Sequence, residues 1–344
     1  MYFKKLISIL FTLVLTFTTI NAADKKIGNF IGGKDTTMPS WFINSFLDFS
    51  EDIEDLSSQN KRFILFAHQD SCPYCHLFVT KNLSDKKTKE KLSKYFGITD
   101  INIFGNREVV TTKGNEYTEK EFALKEKIQF TPTLIFFDEE GKQILRLNGY
   151  INTEKFNLAL DYIKDKKENT LTYKEYLTQN NEDKQASSKL IEESDLFKKS
   201  KNFMRTKDSK KMAIFFESKN CKDCEMLHNK LLKDETTRNL LKKIDLFQVD
   251  MNSSKSIVNP QKIITKIKDW TKELNIVNTP TIIFFDEKAN EIMRIEAIFK
   301  NFHFQSIVDY VVSNEYKKEK EFQRYLTKRA NAIREKGIDV NIWE

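Results

Sequence analysis

Short, nearly continuous apolar runs alternate along the chain with polar stretches in which apolar residues recur at helical spacing. Such runs are typical of strands buried on both faces, and the helical spacing indicates amphipathic helices. The pattern predicts strands at 62–67, 98–104, 133–137, 143–147, 212–216 and 244–249. It predicts helices at 41–56, 118–127, 153–164, 194–204, 261–274 and 304–312, and a further amphipathic helix within 317–335.

The same order of elements occurs twice. Residues 131–146 match residues 279–294 at ten of sixteen positions, and a Cys-x-x-Cys motif precedes the Thr-Pro of each copy by about sixty residues. This is a duplication of a whole domain, with a period near 149 residues. Strands and helices in this order favour a mixed sheet with helices on both sides. We therefore predict an α/β protein with two tandem domains, residues 23–180 and 181–344, joined by a polar linker within 179–189.

The first 22 residues have the pattern of a secretory signal. Lys4 and Lys5 precede an apolar stretch at 6–20, and small residues follow it. The stretch is shorter than the ~20 residues that a membrane-spanning helix needs. We expect cleavage after Ala22 and export to the periplasm; retention as an uncleaved anchor is the alternative.

Composition and charge exclude several classes of protein. The chain has 344 residues, a net charge of +7 and 28 Phe, enough large apolar side chains to build cores. Lys, Asp and Glu are interleaved, as on solvated helix faces, so we expect no nucleic-acid partner. Four cysteines are too few for a disulfide scaffold of this length. Their arrangement is more informative than their number.

Each cysteine pair follows a predicted buried strand and opens a helix. Cys72 and Cys75 form the first pair, Cys221 and Cys224 the second. The positive end of the helix dipole favours the thiolate of the first cysteine, and the second lies one turn on, within reach of a mixed disulfide. Pro73 suits the first helical position because its missing N–H costs little there. The pattern predicts thiol–disulfide exchange.

A CxxC motif after a buried strand, with Thr-Pro some sixty residues on, resembles the thioredoxin fold, here present twice. Further strings resemble the exported thioredoxin-related proteins of the SoxW type: Gly149-Tyr150, 173–177, 302–305, 322–326 and 337–340. The resemblance spans nearly the whole chain after the signal. That family is described as periplasmic thiol–disulfide oxidoreductases associated with sulfur-oxidation gene sets.

The resemblance implies a role for each site residue. Cys72 and Cys221 would be the nucleophiles, and Cys75 and Cys224 the resolving thiols. Pro132 and Pro280 would be cis-prolines beside them, with Thr131 and Thr279 offering backbone groups to an extended substrate. Partners would be cysteine-containing exported proteins and a membrane thiol transporter that supplies electrons. No cofactor and no metal are expected beyond the redox-active cysteines.

The sequence also departs from the thioredoxin pattern. Thioredoxin keeps a buried acid on the strand before its CxxC, and the aligned positions here are Phe66 and Phe215. Proton transfer must then use another group, such as water or Glu217. The two spacers, Pro-Tyr and Lys-Asp, should stabilise the thiolates unequally, since Lys222 favours the anion and Asp223 opposes it.

Other interpretations of the cysteines remain open. Residues 72–76 match the C-x-x-C-H haem attachment motif, although the second copy has Glu225 in place of histidine. Four-thiolate zinc sites place their pairs ~15–20 residues apart, far closer than these. The pairs could also be inert disulfides. The favoured interpretation is a reductive thiol–disulfide oxidoreductase; the alternatives are a disulfide oxidase or isomerase and a non-catalytic adaptor or chaperone.

Overall fold

The computed structural model describes residues 26–344 apart from 181–186, 194 and 207. The predicted signal segment, residues 1–22, lies outside the described residues, as does much of the predicted linker.

The first half of the chain contains seven strands and six helices among its described residues. They are β1 (Phe30–Ile31), α1 (Phe49–Ser58), β2 (Arg62–His68), α2 (Pro73–Leu77), a π-helical turn (Phe78–Asn82), α3 (Lys86–Tyr95), β3 (Phe96–Asn102), β4 (Glu108–Val110), β5 (Glu116–Thr118), α4 (Glu119–Lys125), β6 (Thr133–Phe137), β7 (Gln143–Asn148), α5 (Thr153–Lys164), a 3-10 turn (Lys167–Asn169) and α6 (Tyr173–Asn180).

The described part of the second half repeats most of this order. Its elements are β8 (Met212–Glu217), α7 (Lys222–Asn229), a 3-10 turn (Leu231–Lys233), α8 (Glu235–Leu241), β9 (Asp245–Asp250), β10 (Ser256–Val258), β11 (Ile264–Lys266), α9 (Ile267–Glu273), β12 (Thr281–Phe285), β13 (Glu291–Ile295), α10 (Asn301–Val312), a 3-10 turn (Glu315–Lys317), α11 (Phe322–Arg334) and β14 (Val340–Asn341).

Each half builds a four-stranded mixed sheet with the same topology. The strand order is β3-β2-β6-β7 in the first domain and β9-β8-β12-β13 in the second. In the first, β2 is parallel to β3 and antiparallel to β6, which is antiparallel to β7. The second domain repeats these pairings. The predicted α/β architecture of two mixed sheets flanked by helices is confirmed, because the apolar runs supply strands that are buried on both faces.

Polar residues fix where several helices begin. Asp48, Asp85, Asn152 and Asp234 each accept a hydrogen bond from a backbone N–H of the first turn of α1, α3, α5 and α8. Such caps satisfy donors that the helix itself leaves unpaired. The cap at Asn152 sets the start of α5 where the sequence predicts it, at Thr153.

Two helix predictions were wrong in extent or existence. The helix predicted at 41–56 begins only at Phe49, because Leu47 has a φ of 65°, which no right-handed helix accommodates. The helix predicted at 194–204 is absent from the described residues 195–204. That segment is instead extended at Asn202, which bridges to Val258 in parallel, and the Phe203 amide donates to the Val258 carbonyl.

Short hairpins replace part of another predicted helix. Residues 261–274 contain β11 followed by the shorter helix α9, and β11 pairs antiparallel with β10. The pair β4–β5 is the matching hairpin of the first domain. Three-residue strands of this kind carry too little periodicity to be separated from a neighbouring helix by pattern alone.

Both ends of the described chain contact the opposite half. β1, near the start of the chain, pairs in parallel with β14 near its end. Helix α11 packs on α10 of its own domain, as predicted for 317–335, and its Gln323 also donates a hydrogen bond to the Gln129 carbonyl of the first domain. One buried apolar cluster therefore runs through both domains.

Candidate active site

The first CxxC motif lies at the end of the central strand β2. Ser71 adopts a left-handed conformation with φ 52°, and Cys72 then caps helix α2. The Cys75 amide donates to the Cys72 Sγ at 3.1 Å, and the two cysteines form a disulfide. Pro73 occupies the first turn of the helix, where it removes no required hydrogen bond. The first sulfur thus lies where a helix presents free amide groups.

The second motif repeats this geometry after β8. Asn220, with φ 54°, takes the place of Ser71, and Cys221 caps α7. The Cys224 amide donates to the Cys221 Sγ at 3.0 Å, and this pair is also a disulfide. The chemical unit is therefore the same in both domains, although the spacer residues differ.

Both Thr-Pro peptide bonds are cis. In the first domain the Cys72 Sγ lies 3.3 Å from the Thr131 Oγ1, so the Thr131-Pro132 loop and the CxxC motif are brought together. In the second domain the Thr279 hydroxyl pairs at 3.1 Å with the hydroxyl of Ser218, the residue that directly follows β8. A cis X-Pro bond is a built feature of a fold.

An imidazole–carboxylate pair lies at the end of each central strand, half-buried in the first domain and fully buried in the second. In the first domain the His68 Nε2 lies 3.1 Å from an Asp100 oxygen. Burial alone would raise the pKa of Asp100, but the hydrogen bonds and charges of His68 and Arg107 outweigh it and lower that pKa. The aligned positions Phe66 and Phe215 are fully buried and apolar.

In the second domain the pair comes from different elements. Glu217 ends β8, and its two carboxylate oxygens each lie 3.0 Å from the Nε2 of His228 on α7. Burial alone would lower the pKa of His228, but the hydrogen bonds and charges of Glu217 and Glu193 outweigh it and raise that pKa. Gln248 donates to Glu217 from β9. The sequence pointed to Glu217 as a group for proton transfer but gave no signal for Glu193 or Gln248.

The second domain covers the first CxxC motif. The Tyr74 ring lies 5.1 Å from the His303 ring, 5.5 Å from Trp343 and 6.0 Å from Phe299, all centroid to centroid. Its hydroxyl accepts a hydrogen bond from the Lys300 amide at 3.3 Å. Burial raises the pKa of Tyr74 to about 12, partly offset by that hydrogen bond. These contacts leave the first motif enclosed.

The loop before the first cis-proline is covered in the same way. The Phe130 ring packs 5.0 Å from Phe299 and 5.6 Å from Phe322.

Cys72 is 2% exposed and Thr131 5% exposed, whereas Cys221 is 8% exposed and Thr279 is only half-buried. The two sites are therefore chemically alike but differ in access. No sequence pattern pointed to Phe299 or Trp343, because the packing of the two domains on each other is not encoded in local periodicity.

An ion pair joins the second motif to the first domain. Lys155, on α5, pairs with Asp223, the second spacer residue of the motif Cys221–Cys224. Asn148 of the first domain also donates a hydrogen bond to Glu296 of the second. Both motifs therefore face the interface between the domains.

The fold and the site together define a class. A disulfide that opens a helix beside a cis-proline loop, at the end of the central strand of a mixed sheet, is the arrangement of the thioredoxin fold, and this chain contains it twice. Residues 49–164 and 201–312 each match the family model described as the thioredoxin-like domain. The chain belongs to the thioredoxin-like family.

Individual relatives are distant. The chain is 24% identical over 147 residues to the thiol:disulfide interchange protein DsbD of Photorhabdus laumondii, an alignment that covers 41% of this chain and 24% of that protein. The match therefore spans about a quarter of that relative's length.

Two solved structures extend the comparison. A thioredoxin-fold protein from Helicobacter pylori is 18% identical with a TM-score of 0.37, covering 40% of this chain and 94% of that one. The first two thioredoxin domains of Saccharomyces cerevisiae Eps1p are 13% identical with a TM-score of 0.26, covering 76% of this chain and 95% of that one.

The described residues contain no helix that is both long and apolar enough to cross a membrane.

Proposed function

We propose that this protein is an exported thiol–disulfide oxidoreductase that acts on cysteine-containing proteins through both CxxC motifs. The observation that carries the proposal is the placement of Cys72 and Cys221, each at the first turn of a helix with an amide aimed at its sulfur. A helix N-terminus stabilises the thiolate, which is the attacking form in disulfide exchange.

The proposed reaction transfers two electrons from the dithiol to a substrate disulfide. The thiolate of Cys221, or of Cys72, attacks one substrate sulfur and breaks the substrate S–S bond, which releases one substrate thiolate that takes up a proton. The thiol of Cys224, or of Cys75, loses its proton and attacks the mixed disulfide. This second exchange releases the other substrate thiol and leaves the CxxC pair oxidised. A partner dithiol must then return two electrons to the pair.

Direction, location and biological setting are proposed from the resemblance to the SoxW type. We place the protein in the periplasm after cleavage at Ala22, in a reductive role, with a membrane thiol transporter as the electron donor and a link to sulfur oxidation. Substrates would bind beside Thr131-Pro132 and Thr279-Pro280. The alternative role, formation or isomerisation of disulfides in substrates, follows if the reduction potentials of the CxxC pairs are high.

A redox titration of the chain that begins at Ala23, with mass-tagging of each cysteine pair, tests the direction. Reduction potentials of the CxxC pairs near ~−270 mV support a role as electron donor, and reduction potentials near ~−120 mV indicate a protein that donates disulfides instead. The catalytic role is tested by reduction of insulin disulfides. We expect loss of turnover when Cys72 and Cys221 are both changed to Ser, with the single variants assigning the activity to a domain. Unchanged turnover in the double variant would identify a non-catalytic adaptor.

A further inference from the structure

A cavity of about 320 Å³ lies between the two domains, beside the second CxxC motif. The second domain contributes Asp223 of the motif and the Thr279-Pro280 loop to its wall. The first domain contributes Tyr74 and Tyr150 from across the interface. The space beside the second motif is thus bounded by both domains.

The cis-proline loop of the first domain is covered and does not line this cavity. Phe299 and His303 pack against Tyr74 there, and Phe299 also packs against Phe130. Thr131 is buried as a result, whereas its counterpart Thr279 is half-buried and lines the cavity. Each motif contributes its second spacer residue to the cavity, but of the two cis-proline loops it is Thr279-Pro280 that lines the space a substrate segment could enter.

The walls of the cavity are mostly apolar. Tyr150 and Ile151 of the first domain face Met226 and Ile298 of the second. Charged side chains make up part of the rest of the wall: Lys155 pairs with Asp223, and Lys230, Glu296, Lys300 and Glu344 also line the cavity. A mostly apolar space of this size suits an apolar side chain better than an ionised one, because burying an unpaired charge is costly.

We propose that this cavity is a substrate site shared by the two domains, an inference that rests on the proposed function. A cysteine-containing segment of a partner protein lies with its sulfur at Cys221 and its backbone at Thr279. An apolar side chain next to the cysteine enters the cavity and contacts Tyr150 and Ile151. Residues of the first domain thereby determine which substrates the second disulfide exchanges with.

The chemistry at this site is dithiol–disulfide exchange. When the bound cysteine carries a nitrothiobenzoate group, the Cys221 thiolate attacks the peptide sulfur and expels nitrothiobenzoate. Cys224 then displaces the peptide thiol and closes the disulfide. The two electrons come from the pre-reduced Cys221–Cys224 pair, so a single turnover needs no other reductant.

The test uses the full mature chain with Cys72 and Cys75 changed to Ser, so that only the second pair reacts. Two short peptides serve as probes, each with one cysteine blocked by nitrothiobenzoate and followed by Leu or by Asp. A small aromatic disulfide, dithiobis(nitrobenzoate), serves as the probe that needs no cavity. The second-order rate of nitrothiobenzoate release is measured for each in single turnover.

Two first-domain variants change the cavity in opposite ways. Tyr150→Ala removes an aromatic contact and should slow the Leu peptide about threefold to tenfold. Ile151→Trp fills the cavity and should slow that peptide at least as much. The rate with the small aromatic disulfide should stay unchanged in both, which also shows that the second domain is folded. Tyr95→Ala, a half-buried tyrosine of the first domain outside the cavity, is the matched control and should behave as the parent.

The outcomes separate the two proposals. A parent that releases nitrothiobenzoate from neither peptide nor small disulfide overturns the proposed function and this site with it. A reactive parent whose rate with the Leu peptide is unaffected by both Tyr150→Ala and Ile151→Trp overturns the shared site alone. A parent that does not prefer the Leu peptide over the Asp peptide also overturns it, because the apolar walls would then select nothing.

Discussion

Lys155 of the first domain and His303 of the second occupy equivalent positions in the two copies, and each contacts the second spacer residue of the opposite CxxC motif. Lys155 pairs with Asp223, and the His303 ring lies 5.1 Å from that of Tyr74. Contacts exchanged in this way are the mark of a two-fold interface. The duplicated domains therefore pack like the subunits of a symmetric dimer, with both disulfides turned toward the shared face.

Reversing the charge of Lys155 should loosen this interface. Lys155→Glu sets a carboxylate against Asp223, and a partly exposed pair of this kind is worth ~0.2–1 kcal/mol. In a variant whose only cysteine is Cys72, we expect alkylation by a polymer-linked maleimide to be about two- to fivefold faster. The double variant Lys155→Asp, Asp223→Lys restores a pair of opposite charges and should return the alkylation rate to that of the parent. Equal rates in all three proteins would show that the pair does not hold the domains together.

Removing the Tyr74 ring should uncouple the domains more strongly. The ring is buried among three aromatic side chains of the second domain, and deleting a buried aromatic side chain costs ~3–5 kcal/mol. We expect calorimetry of Tyr74→Ala to show a separate, lower-temperature transition beside the main one. Tyr74→Phe keeps the ring and loses only the hydrogen bond from Lys300, so it should keep the transition of the parent within a few degrees. A single unshifted transition in Tyr74→Ala would contradict this coupling.

The sequence predicts the parts of this protein that depend on local pattern. Strand 133–137 and helix 153–164 are found at the predicted residues, because an apolar run and an amphipathic run are each bounded there by polar turns and caps. The placement of both CxxC motifs at helix starts is predicted for the same reason. Each is a property of a few neighbouring residues.

What the sequence does not predict depends on residues distant in the chain. The helix expected at 194–204 is lost because residue 202 pairs with Val258, more than fifty positions away. The burial of the first motif depends on Phe299 and Trp343, which have no periodic signature. The difference in access between Thr131 and Thr279 follows from that packing, so it could not be inferred from two nearly identical motifs.

The buried pair of Glu217 and His228 should make the second domain sensitive to loss of either partner. Both side chains are fully buried, and removing one partner of a buried pair costs ~3–5 kcal/mol. We expect Glu217→Ala to destabilise the second domain by about this amount at ~pH 6, as measured by urea unfolding followed through the fluorescence of buried Trp270.

The pH dependence of this effect has a definite sign. The pKa of His228 in the folded protein is raised above its ordinary value of 6.5. Its contribution to the free energy of unfolding is therefore fully present below pH 6.5 and is lost as the pH rises through the pKa of the folded state. The difference in the free energy of unfolding between the parent and Glu217→Ala should therefore be larger near ~pH 6 than near ~pH 9. A difference that grows with pH would contradict the assignment of a protonated His228.

His303 should give the stability of the protein the opposite dependence on pH. It is buried beneath Tyr74 and Phe299, and burial lowers its pKa to about 4. A histidine with a lowered pKa contributes full stability above its unfolded value of 6.5 and loses it as pH falls toward 4. Over that window the cost of keeping His303 neutral reaches about 3 kcal/mol. Since opening the interface exposes the ring to water, acid should separate the domains before it unfolds either one.

Reduction of the two disulfides in one sample measures this opening. A water-soluble phosphine reduces both, and its own protonation affects both equally, so the ratio of the Cys72–Cys75 rate to the Cys221–Cys224 rate reports access to the first motif. We expect that ratio to rise as pH falls from ~7 to ~5 in the parent. His303→Phe keeps an aromatic ring beside Tyr74 without a titrating group, so its ratio should stay constant. A ratio that rises equally in both proteins would assign the opening to other groups, and a flat ratio in the parent would show that acid leaves the first motif covered.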